Sequence, residues 1–339
     1  MAPDSQTIHI GTRRSALALK QTELVVSALQ AAHPHISCEI HAMATMGDKD
    51  TTTPLPSMGK GLWTSELEAK LMSREVDLVV HSLKDMPTTL PEGCVLGCVT
   101  VREDPRDVVV FRDGSEYKTL ADLPAGSVVG TSSLRRSAQL KRRYPALKFQ
   151  DVRGNLDTRL GKLNADTSPF SCIILAAAGL LRLDYGARIS QYLESSTEGG
   201  GLLHAVGQGA LGLEVREGDQ RVLGLLKTIE DASTMVACFA ERSLLRTLEG
   251  GCSVPIGVET SWVGEGDSKK LRLKATVVSL DGTEAVDGER EEAISTLEQA
   301  DSFGQRVAQE LVERGARKIL DVINQGRATT PAPAGTGAS

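Results

Sequence analysis

Over the first two thirds of the chain, apolar runs with buried-strand character alternate with runs of helical periodicity, the pattern of a parallel sheet covered by helices on both faces. The fold class is therefore α/β. IHIG leads into a helix from about Ser15 to Ala31 that stops before His33-Pro34, and CEIHAMAT is the next strand. A polar loop, GDKDTTTPLPSMGKG, follows. Ser65 and Glu68 then form a capping box for a helix through Leu71, and VDLVV leads into the loop HSLKDMP, where Pro87 blocks continuation.

The charged, proline-containing run REDPRD (Arg102 to Asp107) interrupts this succession, and a second one starts at DVVVF. The stretch EGGGLLHAVGQGALG reads as a return connection, after which the style changes to helix, a glycine-rich turn, two or three strands around Leu280 to Thr283, and two amphipathic helices to Asn324. At about 100–200 residues per domain, the 339 residues suggest two or three domains, and the breaks in pattern place boundaries that give 1–104 with 205–222, 105–204, a smaller α+β region 223–325 and a tail 326–339.

Composition narrows the function classes. Aromatic residues make up only 3% of the chain, too few for base-stacking surfaces, and the formal charge is −6, which disfavours a dedicated nucleic-acid binder. The six cysteines show no CxxC pair, so neither a zinc ribbon nor a disulfide framework fits. The longest apolar run, Cys172 to Leu181, is too short for a membrane span. These features together read as a chain of the reducing cytosol, with no metal expected.

The charge is unevenly spread. Residues 128–165 hold nine Lys and Arg against two Asp, a +7 sector in a remainder that sums to −13. Lys141, Arg142 and Arg143 read as a solvated helix face. Arg135, Arg136, Arg153 and Arg159 flank helix starts and a Gly-Asn turn, and their guanidinium forks suit carboxylate or phosphate. IGTRRSALAL and VGTSSLRRSAQL both run from strand through Gly-Thr and hydroxyl residues to Arg-Arg-Ser-Ala and a helix. Either two lobes share one plan, with an anion site at each helix start, or short motifs coincide by chance.

Lys84-Asp85 follows VDLVVHS at the carboxyl end of a strand, where open α/β sheets bind ligands. A carboxylate there can shuttle protons and the adjacent lysine can bind acid groups, although an Asp in a polar loop also serves as a turn residue. His81 reads as structural, since no second histidine shows a metal-ligand spacing. Cys252 lies in the turn LEGGCSVP, either as an exposed thiol for attachment or nucleophilic chemistry or as an inert turn residue. The other cysteines fall in apolar runs, as small core hydrophobes.

IGTRRSALAL, GKGLW, HSLKDMP, REDPRD, GTSSLRRSAQL, VRGNLDTRL, LAAAGLLRL, AVGQGALGLE and LEGGCSVPIG occur in an order that resembles the porphobilinogen deaminase (hydroxymethylbilane synthase) family, from about Ile8 to Asn324. The resemblance implies two lobes like those of periplasmic binding proteins with the active cleft between them, and a third domain carrying the EGGC loop. It implies a cytosolic enzyme that takes porphobilinogen as substrate; a monomer is the default expectation, and composition and hydropathy point to no nucleic-acid or membrane partner. Four porphobilinogen molecules would be deaminated and joined head to tail, and water would release the product. By similarity, Cys252 holds a dipyrromethane cofactor through a thioether, and Asp85 is the acid/base that serves the attack of a terminal pyrrole on an azafulvene. The motif positions that would bind cofactor or substrate side chains are Arg13, Ser15, Lys84, Thr131, Ser132, Ser133, Arg135, Arg136, Arg153, Gly154, Arg159, Arg182 and Gln208, with Lys60 as a further candidate in the GKGLW loop. The chain departs from the pattern at Ser65 and Leu181, where relatives frequently carry lysine, which touches only secondary charge around the lid and cleft. A non-catalytic two-lobed binding protein for a small carboxylate is the alternative from another class. It has no need of EGGC.

Overall fold

The computed structural model describes residues 7–45, 64–196, 201–248 and 254–328. In the first lobe, β1 (Thr7–Arg13) lies between the parallel strands β2 (Ser37–Met43) and β3 (Leu78–Ser82). α1 (Ala16–Ala32) and α2 (Ser65–Met72) cover opposite faces: Ile8 and Ile10 pack with Val25 and Leu29, whereas Leu67 and Leu71 pack with Val76 and Val79. β4 (Cys94–Val99) and β10 (Leu211–Arg216) complete a sheet of order β2-β1-β3-β10-β4, with β10 antiparallel to both neighbours.

The second lobe contains β5 (Asp107–Phe111), β6 (Val128–Gly130), α3 (Leu134–Arg143), β7 (Lys148–Gln150), α4 (Leu156–Asn164), β8 (Cys172–Ala176), α5 (Ala177–Arg182) and β9 (Gln191–Leu193). Its sheet order is β7-β6-β8-β5-β9, with β6 parallel to β7 and β8, and β5 antiparallel to β8 and β9. The two sheets therefore match strand for strand. In each, the antiparallel strand is the one whose chain has just crossed from the other lobe, so two crossings tie the lobes together.

The shared plan is real, but the Arg-Arg-Ser-Ala letters are not its equivalent positions. The capping hydroxyls are Ser15, which accepts from the Ala18 amide, and Ser133, which accepts from the Arg136 amide. Arg13 and Arg14 precede their cap, whereas Arg135 and Arg136 follow theirs. Only the glycine-threonine turn and the cap correspond.

α6 (Gln220–Leu226) buries Val222 and Leu226 in the first lobe's core, so the change to the smaller domain comes after α6 rather than at residue 223. That domain packs α7 (Ala232–Thr247), α8 (Leu297–Glu313) and α9 (Ala316–Ala328) on an antiparallel sheet of β11 (Ile256–Val263), β12 (Lys270–Val278) and β13 (Ala285–Glu292), around Phe303, Leu244 and Leu273. Because α9 runs to Ala328, the expected tail boundary at 326 falls inside a helix.

Two further expectations change. Ser65 is not a cap: α2 begins at Ser65 after Thr64, no side chain caps its amides, and the buried Glu68 carboxyl lies against Thr64 rather than Ser65. The Lys141–Arg143 face is not simply solvated. Lys141 Nζ donates to the Leu280 carbonyl at 2.9 Å and Arg142 pairs with Asp287 at 3.2 Å, so this helix face meets the turn and strand of the smaller domain.

Candidate active site

β3 ends at Ser82 and gives way to a single 3₁₀ turn, Leu83–Asp85. Leu83 and Met86 are buried with Val99, Ala210, Met235 and Cys238, so the turn is fastened by its two apolar members while Lys84 and Asp85 keep part of their surface accessible. The Leu83 amide donates to the Ala210 carbonyl at 3.0 Å, and Arg242 of α7 donates to the carbonyls of Met86 (3.2 Å) and Pro87 (2.5 Å). Gly207 has φ +70°, and a Cβ there would stand 2.8 Å from Leu83 Cγ. The GQG segment thus needs glycine, both for its backbone conformation and for its approach to the turn that carries Asp85.

Across the lobes, Asp107 is the first residue of β5 and is fully buried. Its Oδ2 accepts from Arg135 Nη1 at 2.6 Å, and its Oδ1 accepts from Arg136 Nε at 2.9 Å and Gln208 Nε2 at 3.0 Å. Against desolvation, which would raise it, Arg135 and Arg136 hold the Asp107 carboxyl well below the usual carboxylate range. Arg135 also donates to the Leu203 carbonyl at 2.7 Å and Arg136 to that of Ile174 at 2.9 Å. Gln208 Nε2 donates to the Pro105 carbonyl at 2.7 Å, and its buried Oε1 has no partner. Arg182 Nη2 donates to the Gly209 carbonyl at 2.7 Å.

Arg135, Arg136, Arg182 and Gln208 therefore hold the two crossings together. Asp107 itself did not stand out in the sequence, because within REDPRD it reads as one more charge. The same is true of Arg102, which pairs with the buried Glu241 at 2.6 Å and donates through Nε to the Gln208 carbonyl at 2.8 Å.

The remaining candidates border this knot. Gly154, at φ +115°, makes the turn before α4; a Cβ there would lie 2.6 Å from Thr158 Cγ2. Asn155 caps α4 by accepting from the Thr158 amide, and Arg159 reaches back to the Gly154 carbonyl at 2.7 Å. Lys162 donates to the Arg153 carbonyl at 3.0 Å. Ser132 Oγ donates to the Val152 carbonyl at 3.0 Å, and Thr131 Oγ1 accepts from the Ser133 amide at 3.2 Å, so the two basic loops are joined. In the first lobe, Arg13 ends β1 beside the Ser15 cap, and Leu17 lies 3.6 Å from the position of a Cβ on Gly179 in the other lobe. Lys60 and Cys252 lie outside the described residues.

The electrostatics connect the lobes. Burial lowers the Lys84 ammonium to about 8; Arg136 and Arg135 add to the effect, and Asp85 and Asp107 oppose it. Burial likewise brings Arg159 down to about 10, with Arg136 and Arg153 adding and Asp85 opposing. The Asp85 carboxylate thus acts on both Lys84 and Arg159, among neighbouring arginines. His81 is buried and bonded to Glu214 at 2.9 Å, as a structural histidine is. The described cysteines Cys94, Cys98, Cys172 and Cys238 are buried free thiols whose pKa values burial pushes up, and half-buried Cys38 is also free and raised. Among the described residues, no helix is long and apolar enough to cross a membrane.

Residues 8–224 match the family model "Porphobilinogen deaminase, dipyromethane cofactor binding domain", and residues 235–313 match "Porphobilinogen deaminase, C-terminal domain". The chain is 62% identical to the porphobilinogen deaminase of Neurospora crassa over 97% of both chains. It is 52% identical to that of Yarrowia lipolytica, covering 94% of this chain and 93% of the relative, and 50% identical to that of Saccharomyces cerevisiae, covering 95% and 98%. Among solved structures, the BvgS VFT2 domain of Bordetella pertussis is a distant likeness, at 16% identity and a TM-score of 0.40 over 66% of this chain and 86% of that domain. With both family models in register along one chain and relatives matched end to end, this protein belongs to the porphobilinogen deaminase family.

Proposed function

We propose that this chain is the transferase that joins four porphobilinogen molecules head to tail into the linear tetrapyrrole hydroxymethylbilane, with release of ammonia, for porphyrin and haem biosynthesis. The observation that carries the reading is the cationic wall facing Asp85. Lys84 and Arg159 both lie below their ordinary pKa values chiefly because burial penalises their charge, with nearby arginines adding to it against Asp85, so a ligand bearing several carboxylates would be favoured there. Each pyrrole of the substrate and of a dipyrromethane carries an acetate and a propionate. The residues present fit that group. When bound, dipyrromethane supplies the free pyrrole α-carbon to which each new unit is joined.

The chain's own residues supply the rest. Cys252 is the attachment thiol. Asp85 donates and accepts the protons that ammonia loss and restoration of the aromatic ring require, and its charge stabilises positive pyrrole nitrogens. Arg13, Lys84, Arg153 and Arg159 take the acid side chains, with Ser15, Gly154 and the Thr131–Ser133 turn offering hydroxyls and amides and Lys60 serving from its loop. Arg135, Arg136, Arg182 and Gln208 set the position of these groups through the crossings. The matched sheets support a three-unit reading, with lobes of 1–104 plus the return strand and 105–204 and a C-terminal unit carrying Cys252. We further read the chain as a cytoplasmic monomer without nucleic-acid or membrane partners, on its cysteine spacing and mild acidity.

The test combines turnover with mass. Purified protein should consume porphobilinogen with release of ammonia, and should weigh more than its sequence by one linked pyrrole pair. Cys252→Ser should lose that increment. Absence of ammonia release from protein that carries the adduct would overturn the assignment.

A further inference from the structure

In the parallel pairing of β1 with β2, His9 stands opposite Glu39 and Gly11 stands opposite His41. Glu39 and His41 are two residues apart on one strand, so they share a face with His9. Gly11 adds no side chain to this face, where a Cβ would meet Val76 and Val79 at 3.3 Å, and the His9 and His41 rings lie 5.1 Å apart between centroids. The result is a compact trio. His9 Nδ1 and His41 Nε2 are 2.9 Å apart, and the two carboxylate oxygens of Glu39 lie 3.6 Å from His9 Nδ1 and from His41 Nε2.

We propose that His9, Glu39 and His41 form a binding site for a divalent transition-metal ion of the zinc, cobalt or nickel type. At metal–ligand distances of about 2.0–2.2 Å, ligand atoms in a tetrahedral shell lie about 3.3–3.5 Å from one another. Each Glu39 oxygen is already close to that spacing from one ring, one ligand atom from each residue can be chosen so that all three lie within 4.8 Å of one another, and the ring nitrogens need to part by only a few tenths of an ångström. Two imidazoles and one carboxylate suit borderline ions rather than magnesium or calcium, which favour oxygen. The trio is reachable from solvent: side-chain exposures are 40%, 60% and 37% for His9, Glu39 and His41. Water can therefore fill the remaining coordination positions.

Two further carboxylates lie nearby but already have cations of their own: Asp77 accepts from the His9 amide at 2.9 Å and pairs with Arg216 and Arg221, and Glu75 pairs with Lys70, so Glu39 is the carboxylate left to the ion. β2 is the edge strand of its sheet, so the ion would clip that edge to β1. His9 is four residues before Arg13, about 13 Å along the strand. The site is therefore separate from the substrate cleft, and its role would be stability rather than turnover.

The test uses full-length, tag-free, cofactor-loaded protein titrated with Co²⁺ and, in competition, Zn²⁺. The wild type should bind one Co²⁺ with visible ligand-field bands and no thiolate-to-cobalt charge-transfer band, and its melting temperature should rise. His41→Gln and His9→Gln should each weaken binding by roughly tenfold or more, with unchanged circular dichroism and unchanged porphobilinogen turnover. Glu39→Gln, at the most exposed member, provides a variant with little risk to folding and should also weaken binding. Equal Co²⁺ affinity in wild type and all three variants, or a spectrum dominated by thiolate charge transfer, would overturn the site.

Discussion

Arg135 Nη1 lies 2.6 Å from Asp107 Oδ2, which joins the first turn of α3 to the first residue of the strand that enters the second lobe. Arg136 shares the same carboxylate, so one buried anion serves two buried guanidinium groups at the junction of the lobes and the trio keeps a net positive charge. Charges so placed are costly to leave without their partner.

Asp107→Ala should therefore lower unfolding free energy by about 3–5 kcal/mol. Denaturant titration against the wild type measures this. A change within the range of an ordinary surface substitution would show that water compensates the arginines.

Gly207→Ala should act on Asp85 at a distance. The new Cβ meets Leu83 Cγ at 2.8 Å with φ at +70°, so the 3₁₀ turn must shift. A cost of about 1–3 kcal/mol in stability is expected, with kcat reduced more than KM. Steady-state kinetics with unchanged kcat would reject the coupling between this glycine and the turn.

Asp85→Ala should leave the dipyrromethane adduct on the protein, as read by intact mass, while turnover falls by roughly 100- to 10,000-fold, the range for loss of a general acid/base. Near-normal turnover would remove Asp85 from that role.

Lys84 gives a pH dependence with a definite sign. Its folded value of about 8 lies below the ordinary 10.5, so between these values the unfolded chain holds a proton that the folded chain has released. This residue alone makes unfolding free energy rise with pH across that window. Substrate carboxylates favour the ammonium, so KM for porphobilinogen should climb as pH passes about 8. Lys84→Arg, charged throughout, should flatten that limb of the KM profile, and an identical profile in the variant would show that another group titrates.

Local signals were legible where the chemistry is local. Ser15 and Ser133 cap their helices because a hydroxyl before a helical run needs only the amide three residues on. The turn at Lys84-Asp85 was readable from the apolar strand before it and the proline after it. Ser65 misled because the same letters fit a capping box, whereas the core claimed Glu68. Lys141 and Arg142 read as solvated because their partners, Leu280 and Asp287, lie far along the chain in another domain.

The sequence by itself determined the alternating α/β plan, the family, and Asp85 and Cys252 as the residues to which the resemblance attaches catalysis and cofactor, while the matching strand orders of the two sheets decided that the plan is duplicated. Patterning, turns and motifs depend on neighbours within a few positions. Only the tertiary structure decided that Arg135 and Arg136 are committed to a carboxylate inside the protein whereas Arg159 turns to a backbone carbonyl, since all of them read alike in the basic sector. It also decided that His9 and His41, separated along the chain, meet on one sheet face, because strand register comes from side-chain packing and backbone hydrogen bonds that no interval in the sequence states.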